Sequence, residues 1–231
     1  MNSPALSSLV MCGNRIPHYG YAWKQKWFMA TAAPIVTAQK VSNNVFLTVG
    51  SIYLSVYFVQ GRIEAHKCVH AFPPALRLIV SCGACASIDP HINIGTLVIP
   101  NYTTTLDGKV TILDPKLIKD ALSLAALSNV PVRVASCGSV NYLVSAMRNV
   151  PLDMRNYVSV IDQEAAELMY ECSFRGVQAI AVLYVSDNLI LGQSLKVVRG
   201  IPTLLTQCRL AKRLAAKLAI RLAIRYCDNE C

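Results

Sequence analysis

Short apolar runs alternate with longer segments of mixed polarity along most of the chain. "ALSSLVMCGN" (Ala5–Asn14) reads as a first strand ending on a glycine turn, and "YAWKQKWFMATA" (Tyr21–Ala32) as the helix after it. "NNVFLTVGSIYLSVYFVQG" (Asn43–Gly61), dense in Val, Tyr, Thr and Ser and broken by Gly50, predicts two adjacent strands. "RIEAHKCVHAF" (Arg62–Phe72) predicts a helix, and "ALRLIVSCGA" (Ala75–Ala84) a buried strand running into a tight Cys-Gly turn. "GTLVIPNYTTT" (Gly95–Thr105) and "VPVRVASCG" (Val130–Gly138) read as strands on either side of a helix over Pro115–Asn129, which has Pro in its first turn. The pattern ends with a helix over Glu164–Arg175, a strand over Val177–Ser186 and a long helix over Thr203–Tyr226.

Apolar strands alternating with helices require a sheet covered on both faces. The predicted fold is therefore α/β: a three-layer α/β/α sandwich around a mixed, twisted central sheet. No linker, repeat or low-complexity tract divides the 231 residues, so they read as one domain, 1–231, with a short tail at 227–231. Ligands in such folds gather at the carboxyl ends of strands. That directs attention to Gly13–Arg15, Ser81–Gly83, Ser136–Tyr142 and Ser186–Asn188.

Composition refines the picture. Hydrophobic residues make up 54% of the chain and charged residues 15%, which points to surface buried between subunits and hence to a homo-oligomer, hexamer or dimer. Lys and Arg exceed Asp and Glu by 22 to 13. Five of these bases, Arg209, Arg213, Lys217, Arg221 and Arg225, recur every four residues in the last helix beside Leu210, Leu214, Leu218 and Leu222. That spacing makes one wet and one buried stripe, and without interleaved aromatics it reads as a solvated face rather than a nucleic-acid surface. The uncharged run Val41–Gly61 reads as strands rather than a membrane span. No secretory signal precedes the nine cysteines, so a cytoplasmic protein with reduced, buried thiols is expected. Cys82 and Cys85 form a lone CxxC with no second pair or suitably placed His, so no metal is expected; Cys227 and Cys231 are a candidate terminal disulfide.

Three acids stand beside the most apolar segments. Asp187 follows eleven residues without a charged side chain. At a strand end it either accepts backbone N–H groups, a task Asn188 can share, or serves as a general acid beside a low-dielectric pocket. Glu164 in a first helical turn complements the helix dipole, with Asp162 as the N-cap. Alternatively, because the small residues of "AAELMY" let the helix approach the sheet closely, Glu164 stands where a carboxylate can grip a pair of sugar hydroxyls.

"IDQEAAELMYECSFRGVQAIAVLYVSDN" (Ile161–Asn188) resembles the segment of the nucleoside phosphorylase and nucleosidase superfamily that reads roughly V-E-M-E-A-A, a helix, R-G, a buried strand and V-S-D. "LRLIVSCGACASIDPHINIGTLVIP" (Leu76–Pro100) and "QGRIEAH" (Gln60–His66) are similar to two further stretches of that family, in the same order, so the likeness spans roughly residues 43–190. The layout is most similar to the hexameric purine and uridine phosphorylase branch. The resemblance implies cleavage of a purine nucleoside by inorganic phosphate, giving free base and ribose 1-phosphate through an oxocarbenium-like transition state. It would make the chain a pentosyltransferase with nucleoside and phosphate as partners and no cofactor. Carried over by position, Asp187 would protonate the purine ring, Glu164 would bind the ribose hydroxyls with Gln163 beside it, and Ser81, Gly13 and Arg15 would bind phosphate. Ser81 would be helped by amides of a Cys82–Gly83 turn, and Asn188 and Tyr142 would line the base pocket.

The anion-binding part departs from the family pattern. The first loop offers Gly13, Asn14 and a displaced Arg15; the Arg expected near Ser81 is Leu78, with Arg77 on the opposite side of a strand. A phosphate dianion needs several fixed donors. A phosphate-independent nucleosidase, with Glu64 as the nearest spare acid, and a non-catalytic nucleoside-binding relative are therefore the alternatives.

Overall fold

The computed structural model of the chain describes residues 6–12, 37–41, 44–49, 52–59, 61–70, 76–141, 150–194 and 200–228. Its elements run β1 (Leu6–Cys12), β2 (Thr37–Val41), β3 (Asn44–Val49), β4 (Ile52–Val59), α1 (Gly61–His70), β5 (Leu76–Ser87), β6 (Leu97–Thr104) and β7 (Val110–Ile112). They continue with α2 (Pro115–Ala125), β8 (Val132–Ser139), β9 (Val160–Asp162), α3 (Ala165–Phe174), β10 (Gln178–Asn188) and α4 (Pro202–Asp228). The helix expected over Tyr21–Ala32 lies outside the described residues.

The ten strands form one mixed sheet, and β5 is its hub. Every residue of β5 is buried except Arg77 and the half-buried Ala86, which is what a continuous apolar run produces when both faces are covered. Parallel to β5 run β1 on one edge and β10 on the other, from Leu78–Gln178 to Ser87–Asn188. Five strands then close into a ring. β10 pairs with β6 at Leu183 and Tyr184, β6 with β8, β8 with β9, and β9 returns to β5 at Ala86 and Ser87. The ring is filled by Cys85, Val98, Cys137, Val160, Ala181, Leu183 and Val185, with Ala165 of α3 packed in the same cluster.

Helices cover the sheet on both sides, as predicted. On one side, α2 and α4 pack on Leu78, Val80, Cys82, Ile180 and Val182. On the other, Ala65 and Val69 of α1 meet Leu168, Met169 and Cys172 of α3 over Leu76 and Ile79. Helix α2 starts where the sequence signals it: Pro115 occupies the first turn and the Asp114 carboxylate accepts from the Lys116 N–H at 2.8 Å. In α4, Arg209, Arg213, Arg221 and Arg225 are exposed, but the buried stripe is made chiefly of alanines. Ala211, Ala215, Ala219 and Ala223 bring the helix close to the sheet, while Leu210, expected in the buried stripe, is 52% exposed. Gly95 serves the same close packing. Its φ is +83°, and a Cβ there would stand 2.8 Å from Cβ of Gln207. No described helix is long and apolar enough to cross a membrane.

Candidate functional site

The pairing register of β5 contains an interruption. Along one edge, β1 pairs with it up to Cys82, and β9 pairs from Ala86 onward in the opposite direction. Among the described residues, no strand pairs with Gly83, Ala84 or Cys85 on that edge. This gap, hereafter the crevice, lies between two strands of opposite direction at the carboxyl end of β1, and α/β sheets bind ligands at the carboxyl ends of their strands.

Acids converge on this crevice. Ile161 and Asp187 are both partners of Ala86, on its two edges. Their Cα atoms are thus separated by two strand spacings, about 10 Å. Beyond Ile161 come Asp162 and Glu164, and Glu164 holds the N-cap position of α3. A further sign of convergence is the Cys85 thiol, which is pushed well above its ordinary range first by burial and then by the charges of Asp162 and Asp187.

Asp162 is the fixed point of the local network. Its Oδ2 accepts from the Ala165 N–H at 2.7 Å and its Oδ1 from the Ser139 hydroxyl at 3.1 Å; the same Ser139 oxygen accepts the Ala166 N–H at 3.1 Å. Two of the otherwise unbonded amides at the head of α3 are satisfied in this way. Asp162 thus bonds to the helix head from two residues ahead of the N-cap position, which Glu164 holds in place of the expected Asp162. The Glu164 carboxylate does not cap it and is 1% exposed. Burial lifts the Asp162 carboxyl from 3.8 to about 6, opposed by hydrogen bonds from the Ala165 and Glu164 amides, Ser139 and Cys137. Gln163 between the two acids is half-buried.

At the end of β10 a bulge shifts the register between Val185 and Asp187. Asp187 is half-buried, and its Oδ2 accepts a 2.5 Å hydrogen bond from the Ser186 hydroxyl. Asn188 is fully buried and turned to the backbone. Its Nδ2 donates to the Ile92 carbonyl at 3.1 Å, and its Oδ1 accepts the Leu191 N–H at 3.0 Å. It therefore fixes the loop after β10, the structural task the sequence allowed it. A cleft of about 640 Å³ opens nearby, lined by His91, Asn93, Arg133, Gln193, Leu204 and Gln207; neither Asp187 nor Glu164 stands on its wall.

Of the expected phosphate site, Ser81 and the Cys82–Gly83 stretch are among the described residues. Cys82–Gly83 is not a turn: β5 continues through it to Ser87, because β1 and β10 satisfy both edges at Ser81 and Cys82. Ser81 is fully buried in mid-strand, five residues before Ala86, about 17 Å along the strand from Asp187. Arg77 is exposed, six residues upstream of Gly83, whereas Leu78 is buried. Gly13, Arg15 and Tyr142 lie outside the described residues, as do the side chains of Glu64 and Cys227. Cys82 and Cys85 belong to clusters on opposite faces of β5, and burial pushes the Cys82 thiol to about 12, so the CxxC holds two separate, unreactive thiols.

A family model described as "Phosphorylase superfamily" matches residues 62–222. In structure, the chain is similar to a futalosine hydrolase mutant of Helicobacter pylori, with TM-score 0.70 and 12% identity, over 95% of this chain and 99% of that one. It is also similar to a 5'-methylthioadenosine/S-adenosylhomocysteine nucleosidase from the same organism, with TM-score 0.71 and 12% identity over 95% and 99% of the two chains. A third likeness is to the Campylobacter jejuni nucleosidase of that name, with TM-score 0.71 and 12% identity over 93% and 97%. No curated protein matches the chain in sequence.

Proposed function

The chain belongs to the phosphorylase superfamily, and from that premise we propose that it cleaves the N-glycosidic bond of a purine nucleoside with water as the nucleophile. The carrying observation is the pair of acidic segments that meet at Ala86, Asp187 on one edge of β5 and Asp162–Glu164 beyond the other. Solved structures similar to the chain include a nucleosidase and a hydrolase, which supports water over phosphate. So does the placement of Arg77, exposed and six residues upstream of Gly83, since a phosphate dianion needs several fixed donors.

In this reading Glu164 accepts hydrogen bonds from the 2'- and 3'-hydroxyls of the ribose, with Gln163 beside it. As the glycosidic bond stretches, positive charge grows on the sugar and the carboxylate's attraction to it strengthens, which is stabilisation specific to the transition state. Asp187, oriented by Ser186, passes its proton to the departing ring nitrogen. Water adds to the anomeric carbon, and the proton it sheds restores Asp187 directly or through a second acid. The sequence nominates Glu64, in the first turn of α1, for that relay. The exposed apolar side chains Ile112, Leu127, Leu152 and Phe174 fit subunit contacts in a homo-oligomer.

Phosphorolysis is the second reading, and one observation favours it. The last β1–β5 pair, Met11 with Cys82, brings the carboxyl end of β1 to the edge of the crevice, and in the sequence Arg15 follows that strand by three residues. Base release from inosine, adenosine and 5'-methylthioadenosine, followed with and without phosphate, separates the two. Release at an undiminished rate without phosphate is expected. Release that requires phosphate and yields a ribose 1-phosphate product overturns the hydrolytic reading, and nucleoside binding without release from any substrate overturns both.

A further inference from the structure

Helices α1 and α3 pack together, and their seam carries a cluster that the proposed reaction does not use. His66 and His70 are four residues apart and so share one face of α1. Their rings stand edge to face with centroids 4.6 Å apart. Opposite them, Glu171 of α3 presents one carboxylate oxygen to each ring: Oε1 lies 3.0 Å from His66 Nδ1 and Oε2 3.9 Å from His70 Nε2. One ligand atom from each of the three residues lies within 4.8 Å of the others.

We propose that His66, His70 and Glu171 form a binding site for a divalent transition-metal ion, Zn²⁺ or a similar ion, that clips α1 to α3. The donor set fits: two imidazoles and one carboxylate suit borderline metals and do not suit Mg²⁺ or Ca²⁺, which take oxygen ligands. The spacing fits as well. Metal–ligand bonds of about 2.1 Å in a tetrahedron put the ligand atoms about 3.4 Å apart. One observed separation is shorter than this, and the widest, within 4.8 Å, must close by at most about 1.4 Å. The imidazoles can make that adjustment because their side chains are 53% and 60% exposed, whereas Glu171, at 19%, is the fixed member. The same exposure admits water to the remaining coordination position.

The scaffold beneath is already built. Val69 of α1 packs with Leu168, Met169 and Cys172 of α3, and the Arg175 guanidinium donates to the Val69 carbonyl. The ion therefore finds its ligands prearranged and need not order the helices itself. Its consequence is mechanical, because α3 carries Glu164 at its head. An ion at Glu171 ties the far end of that helix to α1.

The test is calorimetric titration of the full-length, untagged protein with Zn²⁺, and separately with Mg²⁺, in a non-chelating buffer. One Zn²⁺ per chain is expected to bind and Mg²⁺ to give no heat. His66→Ala, His70→Ala and Glu171→Gln should each weaken Zn²⁺ binding at least about 100-fold, because even outer-shell changes cost 10- to 100-fold. All three positions are at the surface of the seam, so an unchanged far-UV spectrum and metal-free melting temperature establish that each variant folds. Co²⁺ gives an independent reading: a visible spectrum without thiolate charge-transfer bands is expected. Absence of Zn²⁺ binding, binding that survives all three substitutions, or a thiolate signature with Co²⁺ each overturns the assignment.

Discussion

Replacing Asp162 by Asn isolates the effect of burying a carboxylate at the head of α3. The wild-type carboxyl titrates at about 6 in the folded chain against 3.8 ordinarily. That difference corresponds to about 3 kcal/mol. The folded form holds the proton more tightly, so the group favours folding most below pH 3.8, and the advantage is lost as pH rises through about 6. Between pH 5 and pH 8 the loss is about 1 to 1.5 kcal/mol. Asn does not titrate, but it has one acceptor oxygen where Asp162 uses two, for Ala165 N–H and the Ser139 hydroxyl. Losing one such hydrogen bond costs about 1.5–3 kcal/mol. At pH 8 the relief of a buried charge and the lost bond nearly cancel, and the two proteins should agree within about 1 kcal/mol. At pH 5 the wild type should gain on the variant by the amount the linkage predicts. Urea unfolding followed by far-UV circular dichroism at both pH values, with the difference taken between proteins, removes the contribution of every other titrating group. A difference independent of pH, or one favouring the wild type more at pH 8, would refute the argument.

The remaining predictions concern chemistry and packing. Asp187→Asn should lower the rate of base release about 10²- to 10⁴-fold with the fold intact, as loss of a general acid does; near-normal steady-state rates would remove it from that role. Glu164→Gln should lower kcat/KM for ribonucleosides about 100-fold or more, and should matter much less for a 2',3'-dideoxynucleoside, which lacks the hydroxyls it would hold. An equal loss on both substrates would point to a structural role instead. Gly95→Ala forces a side chain into the left-handed region and against Gln207 at 2.8 Å, so a loss of about 2–4 kcal/mol and a melting temperature lower by roughly 5–15 °C are expected. A shift smaller than about 2 °C by differential scanning fluorimetry would show that α4 moves aside freely.

The layers and most elements were legible because they rest on local periodicity. Apolar runs gave β5, β6, β8 and β10, and the proline in its first turn marked the start of α2. What failed was what depends on partners distant in sequence. The Cys82–Gly83 pair has the composition of a turn, yet β10 pairs with both residues and β1 with Cys82, which keeps them in the strand. Strand β9 has three residues, too few to show a period, although it closes the ring. Of the site, the acids were visible because charge is rare in this chain. That Asp162 works with Ser139 was not, since 23 residues separate them and the signal is only a serine at a strand end. The metal-binding cluster was hidden for the same reason: its histidines lie about a hundred positions from their acid.

Strand β5 is gripped along both edges over most of its length. Nothing can peel it away from one side alone, so slow solvent exchange of its amide protons and late unzipping should go together, centred on Ile79–Cys82. The gap at Gly83–Cys85 is thus a notch cut in the stiffest bar of the molecule. Whatever enters it meets a wall that does not yield, and any adjustment must come from the guest or from the segments on the rim.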